Sequence, residues 1–330
     1  MINKDILKNI KYYIGPMSKN IVDVIYEFSL ENAYNIGIIP SRRQIDYDGG
    51  YVGWTTESFY EYTKNNPHLI IERDHGGIGQ GDRYDNGTLS FLEDAKYCDI
   101  IHVDPWKNYG NNFDKGVIET IDNIKFIHKI NPYCLFEVGT EQSICYFDVN
   151  QLDEMLTILK KELGVLFNNI VYCVIQSGTQ LHGTNNIGNY DPERLKDMIK
   201  VCNKFGLLSK EHNGDYLSLD EIKNKFDLGL SAINIAPEFG VFETDILLEN
   251  MTSEQKDEFF NICYNSKKWE KWVSDDFTPF NNKNKTELMR ICGHYQFSTK
   301  EFSNLNLDFN NIIKERLYNK LKIMKNYVNS

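Results

Sequence analysis

The chain has no uninterrupted apolar stretch approaching about 18 residues, so the sequence offers no membrane-spanning helix. It also lacks a Pro-, Ser- or Gly-rich linker. With 41% hydrophobic and 25% charged residues over 330 positions, the expectation is one large domain spanning 1–330. Its seven cysteines (Cys98, Cys134, Cys145, Cys173, Cys202, Cys263 and Cys292) include no Cys-x-x-Cys pair and are odd in number. That argues against both a disulfide framework and a structural zinc knuckle. A basic excess is missing too: 36 Lys and Arg face 47 Asp and Glu, and the net charge of −11 disfavours a nucleic-acid partner. An anionic metabolite stays open, because a single site needs only local donors. The opening MINKDILKNIKYYIG carries lysines but neither a continuous apolar run nor a small-residue cleavage site, so the expected location is cytoplasmic, without membrane association.

What is present is alternation. Short apolar runs recur as NIGII (35–39), LIIER (69–73), DIIHV (99–103), CLFEV (134–138), NIVYCVIQ (169–176), GLLSKEH (206–212) and AINIA (232–236). Helical periodicity fills the gaps: Ile21, Val22, Ile25 and Phe28 before the first run, then Val117, Ile118, Ile121 and Ile124 after the third. A strand–helix unit of roughly 30–37 residues, only the last interval being shorter, predicts an α/β fold, a (β/α)8 TIM barrel. The barrel is expected over about residues 30–300, with C-terminal helices over about 300–330. A doubly wound open sheet is the rival. Residues 250–330 read as mostly helical, so the expected eighth strand is short and irregular, within RICGHYQF at 290–297.

In such a barrel chemistry sits at the C-terminal ends of the strands. Arg42, Arg43 and Gln44 follow the first run; Asp74, His75 and the glycine turn containing Gly77 follow the second; Asp104 follows the third. Glu137 and Glu141 close the fourth, Gln176 and His182 the fifth, Lys210 and His212 the sixth, and Asn234 the seventh. Strand parity places Lys210 and His212 on one face, whereas Asp74 and His75 share a site only if the strand ends there and the Gly76–Gly77 turn re-aims them. His75, His182 and His212 with nearby carboxylates form a sensible divalent-metal site. Asp74 and Glu141 are the candidate acid/base carboxylates, Arg42 and Arg43 the anion clamp, and Gln44, Gly77, Asp104, Gln176, Lys210 and Asn234 further substrate contacts. His102 reads as a satisfied barrel-interior histidine, and His68 and His128 as structural. Lys210 also admits a Schiff-base role. GGIGQGD (76–82) has the wrong spacing for a dinucleotide fingerprint.

Taken together these segments resemble the barrel family known as the non-catalytic subunit of class II tagatose-bisphosphate aldolase, which includes ketose-phosphate 4-epimerases. The resemblance is carried by IIPSRRQIDYDGGYVGWTT (38–56), Asp74–His75, HVDP (102–105), VGTE (138–141), IQSG (175–178), KEHNGDY (210–216, loosely), INIAP (233–237) and GHYQFS (293–298). It implies a proton-transfer role for Asp74 and metal ligation by His75 and His212. The third ligand is left open: His182 is favoured on chemistry, with Asp104, Glu137 and Glu141 as competitors. Zn2+ is the expected metal, with Mn2+ or Co2+ as alternatives. The implied activity is aldol cleavage or C4 epimerisation of a phosphorylated ketose or related acidic sugar, in a homo-oligomer or beside an aldolase partner subunit. The alternative is a catalytically silent barrel that stabilises a separate aldolase. Arg42, Arg43, Ile39 and the GGIGQGD turn depart from the family pattern around the pocket, which points away from tagatose bisphosphate itself.

Overall fold

The computed structural model describes residues 4–110 and 112–328; of the opening segment read for a leader, residues 1–3 lie outside that range. Eight parallel strands close into a barrel. They are β1 (Tyr12–Ile14), β2 (Ile36–Ile38), β3 (Leu69–Gly76), β4 (Ile100–Val103), β5 (Leu135–Val138), β6 (Ile170–Ile175), β7 (Leu208–Glu211) and β8 (Ala232–Ile235). Helices join successive strands, and a helical region follows the barrel: this is a TIM barrel with a helical C-terminal extension. Among the described residues no helix is long and apolar enough to cross a membrane.

The seven apolar runs are β2 to β8, so the missing strand lies at the other end of the chain from where the sequence placed it. β1 seals the barrel, pairing Tyr13 with Asn234 of β8 and with Gly37 of β2. Three residues set between Lys8, Lys11 and Pro16 are too few to show a period, although all three are buried. The segment proposed for the eighth strand is instead helical: Asn282–Cys292 is an α-helix, followed by a 3-10 turn at Gly293–Tyr295. Leu288, Met289, Ile291 and Cys292 are its buried face, a 3.6-residue pattern, and the Asn281 side chain caps its start.

Two apolar regions hold the fold. The larger lies between strands and helices, where Ile21, Val22, Ile25 and Phe28 of helix Lys19–Asn32 and Val117, Ile121 and Ile124 of helix Phe113–Ile130 are buried. The final helix, Asn310–Val328, buries Ile313, Leu317, Leu321 and Met324, and its Tyr318 meets Phe28 edge to face with centroids 5.1 Å apart. The smaller region fills the barrel floor with Leu7, Ile10, Tyr13, Ile70, Ile100, Tyr172 and Ala232. Gly37 is required there: a Cβ at that position would fall 2.0 Å from the Tyr13 ring. Above this plug the inward-facing positions turn polar.

Candidate active site

β3 ends in a bulge. Its register against β4 runs Arg73 to Ile101 and then Gly76 to Val103, so one extra residue is accommodated, and His75 takes the left-handed backbone conformation (φ 44). The strand does not end at Asp74–His75, as the parity argument required: it runs on to Gly76, and the bulge rather than a Gly76–Gly77 turn brings the two residues into one site. The buried Arg73 guanidinium anchors this strand end through Asp94 (2.7 Å) and the carbonyls of Pro40 and Ile45 (2.8 Å each).

Three imidazoles converge there, with ring centroids 4.9–5.2 Å apart: His75, His102 of β4, and His212 immediately after β7. Each has one ring nitrogen against an acceptor outside the cluster. His75 Nδ1 is 2.6 Å from Asp104 Oδ2, His102 Nε2 is 3.0 Å from the Gly139 carbonyl, and His212 Nε2 is 2.7 Å from Glu137 Oε1. The opposite nitrogens face Asp74 Oδ1, at 3.5 Å (His75 Nε2), 4.0 Å (His102 Nδ1) and 3.7 Å (His212 Nδ1). That carboxylate oxygen is buried and has no hydrogen-bond partner. One donor atom from each of Asp74, His75, His102 and His212 lies within 4.8 Å of all the others. A proton held on each outward nitrogen leaves an inward lone pair, so the donor set is compatible with a divalent metal.

Electrostatics sharpen this picture. Burial opposes a charge on His75, but Asp74, Asp104 and Glu141 outweigh it and raise its pKa to about 10. Burial lowers the pKa of His102. Asp104, although desolvated, is held below the usual carboxylate range by its bond to His75.

Beneath the histidines lies a buried ion network. Lys210 Nζ sits 2.5 Å from Glu72 and 2.6 Å from Glu137, with the Tyr13 and Tyr172 ring centroids 3.7 and 4.1 Å away. Both carboxylates are desolvated. Lys210 and the histidines keep Glu137 ionised, well below its ordinary pKa, while burial and the neighbouring Glu137 raise that of Glu72. Lys210 is therefore neither a phosphate ligand nor an accessible amine: it has no solvent exposure and both its partners are fixed.

Other sequence expectations divide. Glu141, Arg43, Gln44 and Asn234 line a cavity of about 520 Å³ above the histidines, together with Asp74, His75 and His212. Glu141 accepts from Asn213 at 2.8 Å and stands 3.8 Å from His75 Nε2. Asp104 is next to the site but orients His75 from behind. Arg42 is not an anion clamp, because its buried guanidinium is consumed by Asp46 (2.9 Å), Asp85 (2.6 Å) and the Gly77 carbonyl (2.9 Å). Gly77 thereby ties the loop after β3 rather than facing a ligand. Gln176 is likewise structural, accepting from Phe147 N and donating to the carbonyls of Thr140 and Cys145. His182 is exposed on a small hairpin, outside the histidine cluster.

His102 takes the position expected of His182. A signal was present: His102 and Asp104 share strand parity, as do Lys210 and His212. Sequence reasoning also missed Tyr216 and His294, which line the cavity from the loop after β7 and from the C-terminal helical region.

No family model matches the chain, and no curated protein matches it. Solved structures do. A protein described as a probable tagatose 6-phosphate kinase from Sinorhizobium meliloti 1021 is 14% identical, with a TM-score of 0.67 over 93% of this chain and 86% of that one. The fructuronate-tagaturonate epimerase UxaE from Cohnella laeviribosi is 8% identical, with a TM-score of 0.68 over 98% and 81%. The YdjI aldolase from Escherichia coli K12 is 13% identical, with a TM-score of 0.55 over 97% and 94%. At these identities the likeness shows a shared fold, among whose members are aldolases and a sugar epimerase.

Proposed function

We propose that the chain is a metal-dependent enzyme of the class II aldolase kind, catalysing aldol cleavage or C4 epimerisation of a phosphorylated ketose or related acidic sugar. The observation that carries this reading is a convergence: three imidazoles, each with one ring nitrogen against an acceptor, turn the opposite nitrogen toward one partnerless carboxylate oxygen. His75, His102 and His212 would hold the cation, and three nitrogens with an oxygen donor suit Zn2+, with Mn2+ or Co2+ as alternatives. A bound divalent cation would supply a Lewis acid for the ketone oxygen and its neighbouring hydroxyl.

The chain's own groups do the rest. Asp74 takes the proton from the hydroxyl two carbons from the ketone. The bond from that hydroxyl's carbon to the carbon next to the ketone breaks, its electron pair passing to the ketone side, which gives an aldehyde and an enediolate. Addition to the other face of the aldehyde, with return of the proton, gives the C4 epimer; release gives cleavage. Glu141, which like Asp74 stands near His75 Nε2, would exchange a second proton. A barrel serving only to stabilise a partner would need none of these groups, and the burial of Lys210 between Glu72 and Glu137 speaks against a Schiff-base route.

The test is metal content of protein prepared without chelators or a polyhistidine tag, followed by a screen of ketose phosphates for cleavage and epimerisation. About one metal per chain, lost in the His75→Ala, His212→Ala variant, with turnover of a ketose phosphate, is expected. Absence of metal after reconstitution in zinc, manganese and cobalt would overturn the reading.

A further inference from the structure

The cavity above the histidines contains more unmet polarity than the proposed chemistry uses. Both amide atoms of Asn234, Nδ1 of His294 and the hydroxyl of Tyr216 are buried without a hydrogen-bond partner, and all three residues line it. Burying such groups unpaired is unfavourable, and hydroxyls of a ligand would relieve it. Asn234 and His294 are 6% and 3% exposed, and His294 is neutral, since burial and nearby Lys271 lower its pKa to about 3. It can therefore accept a hydrogen bond from a hydroxyl.

The rim of the same cavity is cationic. Arg43 and Lys107 line it. Lys271 stands on the adjacent aromatic wall, its Nζ 5.5 Å from the Tyr295 ring centroid and 4.8 Å from that of Trp272. Partial burial and the charges of Arg43, Lys268 and Lys107 lower the Lys271 pKa to about 8, so these cations act on one another. Their compensation is thin. Asp82, half exposed, lies 3.8 Å from Arg43 and 3.4 Å from Lys268; Lys107 donates to the Gly79 carbonyl at 2.8 Å, and the carboxylate acting on it, Asp104, is already bonded to His75. A surplus of more than one positive charge matches a dianion better than a monoanion.

We propose that Arg43, Lys107 and Lys271 form the seat for a phosphate monoester at the rim, and that Asn234, His294 and Tyr216 bind hydroxyls of the same ligand, a claim that rests on the sugar chemistry proposed above. The anionic end is thus read by the second arginine of the Arg42–Arg43 pair and by two lysines from separate short helices, Trp106–Tyr109 and Glu270–Trp272. A carboxylate in place of the phosphate leaves the rim undercompensated.

The test is calorimetric titration of the full chain, with and without zinc, using D-tagatose 6-phosphate, D-tagatose and D-tagaturonate as probes. The phosphate is expected to bind at least about 10-fold more tightly than either other probe. Arg43→Ala with Lys271→Ala should shrink that preference to about 3-fold or less and leave D-tagatose affinity within about 2-fold. Asn234→Ala should weaken all three. Equal binding of tagaturonate and the phosphate, an undiminished preference in the double variant, or no binding of any probe would overturn the phosphate seat. Zinc uptake without phosphate preference overturns the seat alone; phosphate preference without zinc uptake overturns the metal reading alone.

Discussion

Asp104 Oδ2 lies 2.6 Å from His75 Nδ1, with the carboxylate fully buried and also accepting from Thr140 at 3.1 Å. This contact fixes which nitrogen of His75 faces the cluster. In Asp104→Asn the charge that favours the proton on Nδ1 is gone while the packing is nearly kept. Metal affinity is expected to fall about 10- to 100-fold with the fold intact, measured by competition with a chromophoric chelator. Unchanged affinity would show that Asp104 does not orient a metal ligand.

Metal uptake should release protons. In the metal-free protein His75 has a pKa raised to about 10, so it is an imidazolium at pH 7. A cation must displace that proton, and affinity should therefore rise with pH across the neutral range. The same shift has a sign for stability. The apo protein's gain from charged His75 is complete below the unfolded value near 6.5 and is lost as pH rises through about 10. Calorimetry in buffers of different ionisation enthalpy should find about one proton released per zinc at pH 7; none would contradict it.

Glu72 and Glu137 share Lys210 but should respond differently to neutralisation. Glu72 is pushed toward its protonated form, so Glu72→Gln is expected to cost less than about 1 kcal/mol in urea unfolding. Lys210→Met takes the ammonium from the buried Glu137, leaving that carboxylate only its histidine neighbours, and should cost about 3–5 kcal/mol. Equal costs would mean that the proton is not where the network puts it.

Two adjacent arginines should part company. Arg42→Ala leaves the buried Asp46 uncompensated, and a loss of about 3 kcal/mol or more in unfolding stability is expected. Arg43→Ala, half exposed with a distant Asp82, should change stability by no more than about 0.5 kcal/mol. A stability loss at Arg43 as large as at Arg42 would be the contrary result.

Asp74→Asn should lower turnover at least about 100-fold while metal content stays near wild type. Loss of both would make Asp74 a ligand rather than the proton carrier. His182→Ala, exposed on its hairpin, should change neither.

The barrel was readable because seven of its strands are apolar runs that recur roughly every 30–37 residues, the last interval being shorter, with helical periodicity between them. β1 was not, since Tyr12–Ile14 is only three residues and earns its place through tertiary pairing on both sides. Asp74, His75 and His212, which the structure brings together, were singled out because strand-end chemistry is a positional rule. His102 was passed over because a histidine within a strand reads as interior filling, and only its parity with Asp104 marks it otherwise. Arg42 and Arg43 are indistinguishable as letters. Their fates diverge because Asp46 and Asp85 close on one of them, and distant Asp85 carries no local signal. His294 arrives from a helical segment far along the chain, where no strand-end rule applies.

Barrel closure also bears on how the chain acquires its shape. β1 is made first yet must wait for β8, the last strand, before its second edge is covered. Until then β1 and β8 present unpaired backbone, and the loop to be closed spans nearly the whole barrel, a pairing that is slow by its sequence separation. Assembly should thus pass through an open sheet with β1 held only to β2, and the interval before the last pairing is when neighbouring molecules could add strands to the exposed edges.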